Sequence, residues 1–460
     1  MADALNFEES FSATPDEAWD AKLSKELRGA PEDKLRTLTR EGITLEPYYR
    51  AGEDNNPAIP GLAGRENNEW EIRTTIDVDD PDEALDIAED SHARKVDCLD
   101  FAVDSSTLFA VMDLLNLENP EYRHEIRLTD FPTYDIPQLR TSKLDAIRLD
   151  LLGSLARRGD YAQNAEADWK QLEKHLEAYP KGLLVDAALW NEAGLPAHWQ
   201  LGLCLAAVHD YLAALVKDSR SAADVLDNLS IRVSIGPNFF TEIAKLRALR
   251  VLLDLVQEPW TGEEKKNFRI DAAVARWNQV RSDANTNLLR SSTASLAAVI
   301  GGADSLHVVA HDDAFKAPNR MSRRIADNIQ HLLRHESHLD VAADPAAGSW
   351  YLESLTDELG ARSWEVFQTI EAQGGLEQAL LKGLISTKVQ QEANKLRERV
   401  ISGEEVLVGL NRFPNEKEKT PEARERIQPG AAAEPLFAPI RPFRAAPEWL
   451  AEPSKSAPAS

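Results

Sequence analysis

The chain has 460 residues, 43% of them hydrophobic, and its 52 Lys and Arg stand against 77 Asp and Glu, a formal net charge of −25. Length and apolar content suffice for a sizeable core, which excludes disorder as the default state. A surface this acidic repels nucleic acid and anionic lipid, so neither is expected as a partner; only a local basic patch such as "RMSRR" (320–324) runs against the field.

Residues 1–68 read as an arm and linker. In "TPDEAWDAKLSKELRGA", Thr14 is the expected N-cap, Pro15 the first helical position and Glu17 the partner in a capping box, with Gly29 as the stop. "KLRTLTREGITLEPYYR" follows, then a linker rich in Pro, Gly and Asn. The arm carries Phe7, Phe11, Trp19, Leu23, Leu27, Leu45, Tyr48 and Tyr49. These are too few for an independent core and too many to leave in water, so they are expected to pack on another surface, of this chain or of a partner.

From Trp70 the pattern changes to short β-rich runs: "WEIRTTI" (70–76), "KVDCLDFAV" (95–103), "HEIRLTDF" (124–131), "LDAIRLDLL" (144–152), "GLLVDAAL" (182–189), "LSIRVSIG" (229–236), "FRIDAAVA" (268–275) and "SLHVVAH" (305–311). Amphipathic stretches such as "ADWKQLEKHLEAY" separate them. Eight strands alternating with helices predict an α/β fold, a (β/α)8 TIM barrel over 69–350. A doubly wound open sheet competes, weakened because no Gly-rich fingerprint follows the first strand. Residues 351–414 read as a helical extension of the barrel, and 415–460, rich in Pro, Ala and charge, as an extended or disordered tail.

The N-terminus has no apolar signal core, and "LGLCLAAVHDYLAALV" from Leu201 is interrupted by His209 and Asp210 and short for a bilayer. Cys98 and Cys204 lie in apolar runs, as buried thiols of a reducing compartment do. A cytoplasmic location with no membrane partner is the reading.

Motifs for chemistry are mostly missing. His331, His335 and His338 fall at i, i+4 and i+7, a spacing that puts them on one helix face. A zinc-protease helix needs H-E-x-x-H, whereas here Glu336 follows the second histidine. They are expected to be structural or surface groups, with no metal. "DSHARK" at Asp90 offers D-x-H, but Lys95 stands where a cobalamin-binding D-x-H-x-x-G motif needs glycine, and the match is read as chance. The chain has no G-x-S-x-G and no P-loop.

Specific wording appears in blocks. "NLLRSSTASLAAVIGGADSLHVVAHDDAF", "SRRIADNIQHLLRHESHL", "DPAAGSWYLESLTDELGARSWEVFQTIEAQGG", "VLVGLNRFP", "IGPNFFTEIAKLRALR", "WEIRTTI" and, in the arm, "LRTLTREGITLEPYYR" resemble successive blocks of the methylmalonyl-CoA mutase family, in order. "GGADSLHVVAHD" and "ESHLDVAADPAAGSWY" are more similar to the small (beta) subunits of the bacterial heterodimeric enzymes than to the large ones. The resemblance implies a barrel threaded by coenzyme A, with adenosylcobalamin held between it and a C-terminal flavodoxin-like domain that is not found in this chain.

What the resemblance implies for the site is largely loss. Thr75 in "IRTT" stands where catalytic members have a substrate-contacting tyrosine, Leu189 in "ALWNEAG" where they have a histidine on the thioester carbonyl, and Arg148 in "AIRLD" where they have a glutamine. Arg158 in "LARRGD" aligns with the arginine that pairs with the substrate carboxylate, a substrate-binding remnant. Leucine and threonine replace neither an imidazole donor nor a phenol, and Leu189 and Trp190 are expected to fill the mouth. The expectation is therefore a non-catalytic small subunit of a mutase that interconverts methylmalonyl-CoA and succinyl-CoA. It would carry no catalytic residue, no cofactor-binding residue and no metal ligand. Its partner in a heterodimer would be the large, catalytic subunit, which binds the adenosylcobalamin. Alternatives are an active acyl-CoA mutase barrel with its cobalamin domain on a separate chain, or a barrel repurposed as a chaperone-like binding protein.

Overall fold

The structure, a computed structural model, describes residues 15–50, 59, 62, 65–78, 80–117, 123–136, 144–179, 181–217, 220–262, 265–415, 417, 421–422 and 430–445. The expected cap Thr14 and the arm residues Phe7 and Phe11 lie outside them. The chain forms two compact units, Met1–Glu53 and Asp54–Ser460.

In the first unit a helix, Asp16–Glu26, starts from Pro15 with acidic residues in its first turn and buries none of its side chains. Thr37–Leu38 and Thr44–Leu45 form a short antiparallel ladder. The Trp19 ring stands edge-on to Tyr48 at 5.5 Å, and Arg50 bridges Asp16 at 3.2 Å and Asp20 at 2.6 Å.

The second unit is a closed barrel. Its strands are β1 Glu71–Asp77, β2 Cys98–Val103, β3 Arg123–Leu128, β4 Leu144–Arg148, β5 Leu183–Asp186, β6 Leu229–Ile235, β7 Arg269–Val274 and β8 Ser305–His307. All eight sequence runs form strands, all pairs are parallel, and the order is β4-β3-β2-β1-β8-β7-β6-β5. A parallel bridge, Leu149 to Leu183, joins β4 to β5, with the Leu149 N–H on the Gly182 carbonyl at 2.7 Å. That closure decides for the barrel over the open sheet. The seam is thin, and Asp150 reinforces it: its carboxylate accepts the Asp186 N–H at 2.9 Å, the Tyr211 hydroxyl at 2.7 Å and, as a helix cap, the Gly153 N–H at 2.9 Å.

β5 ends three residues before the sequence run does, because Ala187 turns into the helical region and a short helix, Ala188–Glu192, follows. Outward strand residues such as Ile72, Phe101, Ile126, Ile147 and Ile231 are buried beneath helices, as parallel strands covered on both faces require. Helix Ala197–Leu215 is sandwiched between the barrel and helix Trp350–Glu371. Gly202 allows their close approach: a Cβ there would lie 2.5 Å from Val366 Cγ1. Among the described residues, no helix is long and apolar enough to cross a membrane.

Two segments outside the strand–helix pattern belong to this unit. Leu62 is buried against Gly302, and the Asn68 side-chain amide donates to the Val299 carbonyl at 2.8 Å. Residues 430–445, within the stretch read as extended or disordered, form an extended strap across the C-terminal end of the barrel. Its N–H groups at Ala432, Leu436, Ile440, Phe443 and Ala445 donate to the carbonyls of Arg158, Gly159, Ala156, Glu192 and Trp277. Phe437, Ile440 and Phe443 are buried, Phe443 in a cluster with Trp277 and Leu396. The strap shows no helical or alternating period because its docking is by backbone and three anchors. Phe443→Ala is expected to cost about 3–5 kcal/mol of stability; urea denaturation checks this, and limited proteolysis should find the strap cut at Arg441 or Arg444.

Candidate functional site

Alternate residues of each strand point into the barrel, and here many of those positions are charged. In the middle layer Arg73, from β1, donates to Glu125 of β3 at 2.7 Å and reaches Asp271 of β7 at 3.4 Å. Arg148, from β4, donates to Glu125 at 2.9 Å and to Asp271 at 2.5 Å. Two guanidinium groups and two carboxylates thus meet across the axis, with side chains between 0% and 5% exposed. Ser305 donates to Asp271 at 2.6 Å and accepts from Arg73 Nε at 3.0 Å. Burial alone would raise the Asp271 carboxyl, but Arg73, Arg269 and Arg148 outweigh it and hold it well below the usual range.

Above this ring, Asp100 accepts from Arg127 at 3.2 Å and from the Thr75 hydroxyl at 3.1 Å. The Thr75 N–H donates to His307 Nδ1 at 3.1 Å, which places the imidazole proton on Nε2. Burial, then Arg276 and Arg232, lower the His307 pKa to about 3. At the mouth, Asp186 is paired with both Arg157 and Arg232, and Arg276 reaches Asp313 at 3.1 Å and Asp77 at 3.3 Å. A cavity of about 370 Å³ remains at the C-terminal ends of the strands, where barrel sites lie. Asp77, Arg127, Arg157, Asp186, Leu189, Arg232, Arg276 and His307 line it, and the strap adds Ile440, Pro442 and Arg444.

The sequence-derived candidates fall at different depths. Arg148 is in the ring, Thr75 is in the layer above, and Leu189 lines the cavity. Trp190 is buried beside Leu189 on the short helix and does not line the cavity. Arg158 does not line it either: the neighbouring Arg157 does, since successive helical residues point about 100° apart. Arg158 instead holds the strap through its carbonyl.

The three histidines are not on one helix face. The helix Arg320–His335 ends before His338, which lies in the next turn with φ +52°. His331 and His335 stack at 5.8 Å, and His331 Nε2 is 2.9 Å from the Arg94 carbonyl. The basic patch is engaged, Arg320 lying 2.8 Å and Arg323 3.8 Å from Asp90, so the "DSHARK" aspartate is an anchor between two helices.

Sequence reasoning passed over Arg73, Glu125, Asp271, Asp100, Arg127, Arg157, Asp186, Arg232, Arg276 and His307. A signal existed: polar residues recur at every second place in "EIRTTID", "HEIRL", "LSIRVSI" and "RIDAAV", in strands too buried for solvent to explain them.

A closed parallel barrel with its open cavity and its connecting loops at the C-terminal end defines an α/β barrel of the enzyme type. Comparison with known proteins sharpens this. A family profile described as Methylmalonyl-CoA mutase matches residues 143–446. The chain belongs to the methylmalonyl-CoA mutase family. It is 30% identical over 447 residues to a protein of Porphyromonas gingivalis named methylmalonyl-CoA mutase small subunit, covering 89% of this chain and 71% of that one. A Streptomyces virginiae protein of the same name is 30% identical over 478 residues, covering 94% and 75%. The protein of S. virginiae named methylmalonyl-CoA mutase large subunit is 34% identical over 225 residues, covering 48% and 31%.

Two consequences of the ionic interior can be measured. Arg148→Met leaves Glu125 and Asp271 with one arginine fewer between them and is expected to destabilise the fold by about 3–5 kcal/mol, read by urea denaturation. For His307 the folded pKa of about 3 lies below the ordinary 6.5, so the unfolded chain takes up its proton first as pH falls. Its contribution is complete above pH 6.5 and is lost progressively as pH falls towards 3, about 2 kcal/mol between pH 7 and 5. His307→Gln should make that decline shallower.

Proposed function

We propose that this chain is the non-catalytic small subunit of a methylmalonyl-CoA mutase, pairing with a large subunit that carries adenosylcobalamin and stabilising it, in the cytoplasm. The observation that carries this reading is the ring of Arg73, Glu125, Arg148 and Asp271 across the barrel axis. A barrel that threads a coenzyme A thioester needs an open lumen. Here opening it would separate buried ion pairs, a change worth several kcal/mol.

The mouth supports the same reading. Leu189 presents hydrocarbon where the family resemblance calls for an imidazole on the thioester carbonyl, and Arg157 and Arg232 are already committed to Asp186. Adenosylcobalamin does not fit these residues: a cavity of about 370 Å³, bordered by Ile440, Pro442 and Arg444 of the strap, is at the small end for drug-sized ligands and well below a corrin. The cofactor, on this reading, belongs to the partner.

The arm is proposed as the contact with the large subunit. Its helix buries none of its side chains, Trp19 remains 49% exposed and Leu38 65%. Aromatic and aliphatic side chains left in water suit a large interface of the kind obligate heteromers use.

Reconstitution tests the role. Adding this chain to a large subunit loaded with adenosylcobalamin should lengthen its half-life at elevated temperature while leaving turnover per cobalamin unchanged. This chain alone with adenosylcobalamin and methylmalonyl-CoA should give no product. Turnover by a pair in which the large subunit's own barrel site has been disabled would contradict the reading. Deleting residues 1–50, which leaves the barrel unit whole, is expected to abolish co-purification with the large subunit. Full-affinity pairing by the truncated chain would remove the arm from the account.

A further inference from the structure

His209 and Asp210 interrupt a helix, Ala197–Leu215, that is otherwise almost wholly apolar and has thirteen buried residues. Neither residue lines the mouth cavity, and nothing in the proposed role of the barrel uses them. Both lie beside Glu371, the last residue of helix Trp350–Glu371, and one ligand atom from each of the three residues lies within 4.8 Å of the other two. We propose that His209, Asp210 and Glu371 form a binding site for one divalent transition-metal ion, best suited to Zn²⁺, that clasps these two helices on the outside of the barrel.

The donor set is right for that ion. Zn²⁺ takes imidazole nitrogen and carboxylate oxygen as ligands, and open sites supply three of them with a water in fourth place. The imidazole disfavours Mg²⁺ and Ca²⁺, and tetrahedral coordination sets ligand atoms about 3.4 Å apart. His209 Nδ1 and Glu371 Oε2 are already 2.8 Å apart. The second Glu371 oxygen, Oε1, is enclosed and accepts no hydrogen bond, an unsatisfied state that a cation would relieve.

The ligands are also held in place before an ion arrives. The His209 ring stands edge-on to Trp260 at 5.7 Å and to Phe367 at 5.9 Å, which fixes the direction of Nδ1. Asp210 accepts the Glu377 N–H at 2.9 Å, and the Glu377 carboxylate is itself held by the Tyr161 hydroxyl at 2.7 Å and Trp169 Nε1 at 2.8 Å. Such outer partners orient metal ligands and tune their affinity. Side-chain exposures of 32% for His209 and 25% for Glu371 leave an entry path.

Full-length chain stripped with chelator and titrated with Zn²⁺ tests this by calorimetry and by metal content after dialysis. One ion per chain is expected, with micromolar or tighter affinity and a raised melting temperature. Glu371→Gln and His209→Asn should each weaken binding at least about tenfold while the metal-free chain keeps the parent's circular dichroism. A His331→Gln/His335→Gln double variant, which removes the stacked pair on another helix, should bind as the parent does. No saturable binding, or affinity retained within twofold in Glu371→Gln, overturns the proposal. So does loss of binding in the double variant. Should Glu371→Gln fail to fold, Asp210→Asn gives the same decision.

Discussion

Four buried charges on one axis govern the rest of this barrel. Arg73, Glu125, Arg148 and Asp271 come from β1, β3, β4 and β7, so the ring can form only when the sheet has curled round and these four strands are in register. Ser305 opposite Asp271 and Arg148 opposite Arg127 belong to the same registers. A slip of one residue would turn each of these groups outward against the helices. Burying such charges adds little net stability, but leaving any one of them unpaired is severe. The ring therefore penalises wrong closure, and it occupies the space that a threaded ligand would need.

The layers above follow from that arrangement. With the axis shut, the inward positions nearer the mouth carry further pairs, Asp100 with Arg127 and Asp186 with Arg157 and Arg232. The strap then settles over what remains, its Arg444 3.5 Å from Glu192 and its Phe443 in the core beneath. On the reading proposed above, this is a domain kept for its surface more than for its lumen, as a stabilising subunit would be.

Much of the fold was legible in the sequence because it is local. Eight β-rich runs with helices between them are a pattern of period and spacing, and all eight became strands. The ring was not legible, although its residues were in plain view, because its pairings are long-range: Arg73 and Asp271 are 198 positions apart. Alternating charges announce an ionic interior without saying which acid meets which base. Aligned wording singles out Arg158, but which side chain of a helix faces a cavity is a matter of packing, and it is the neighbouring Arg157 that lines the mouth. His338 left the helix because the backbone turned at Glu336–Ser337, a terminus that no strong stop residue marks. Composition left the strap's stretch extended or disordered; its docking was not legible because it is held by carbonyls of distant segments.

The central claim is that the axis is closed to a coenzyme A thioester, and calorimetric titration of the isolated chain with succinyl-CoA tests it most directly. The account predicts no saturable heat up to millimolar ligand. One-to-one binding with micromolar affinity, weakened by substitution of Arg73 or Arg148, would show that the ring opens for the ligand and would contradict it.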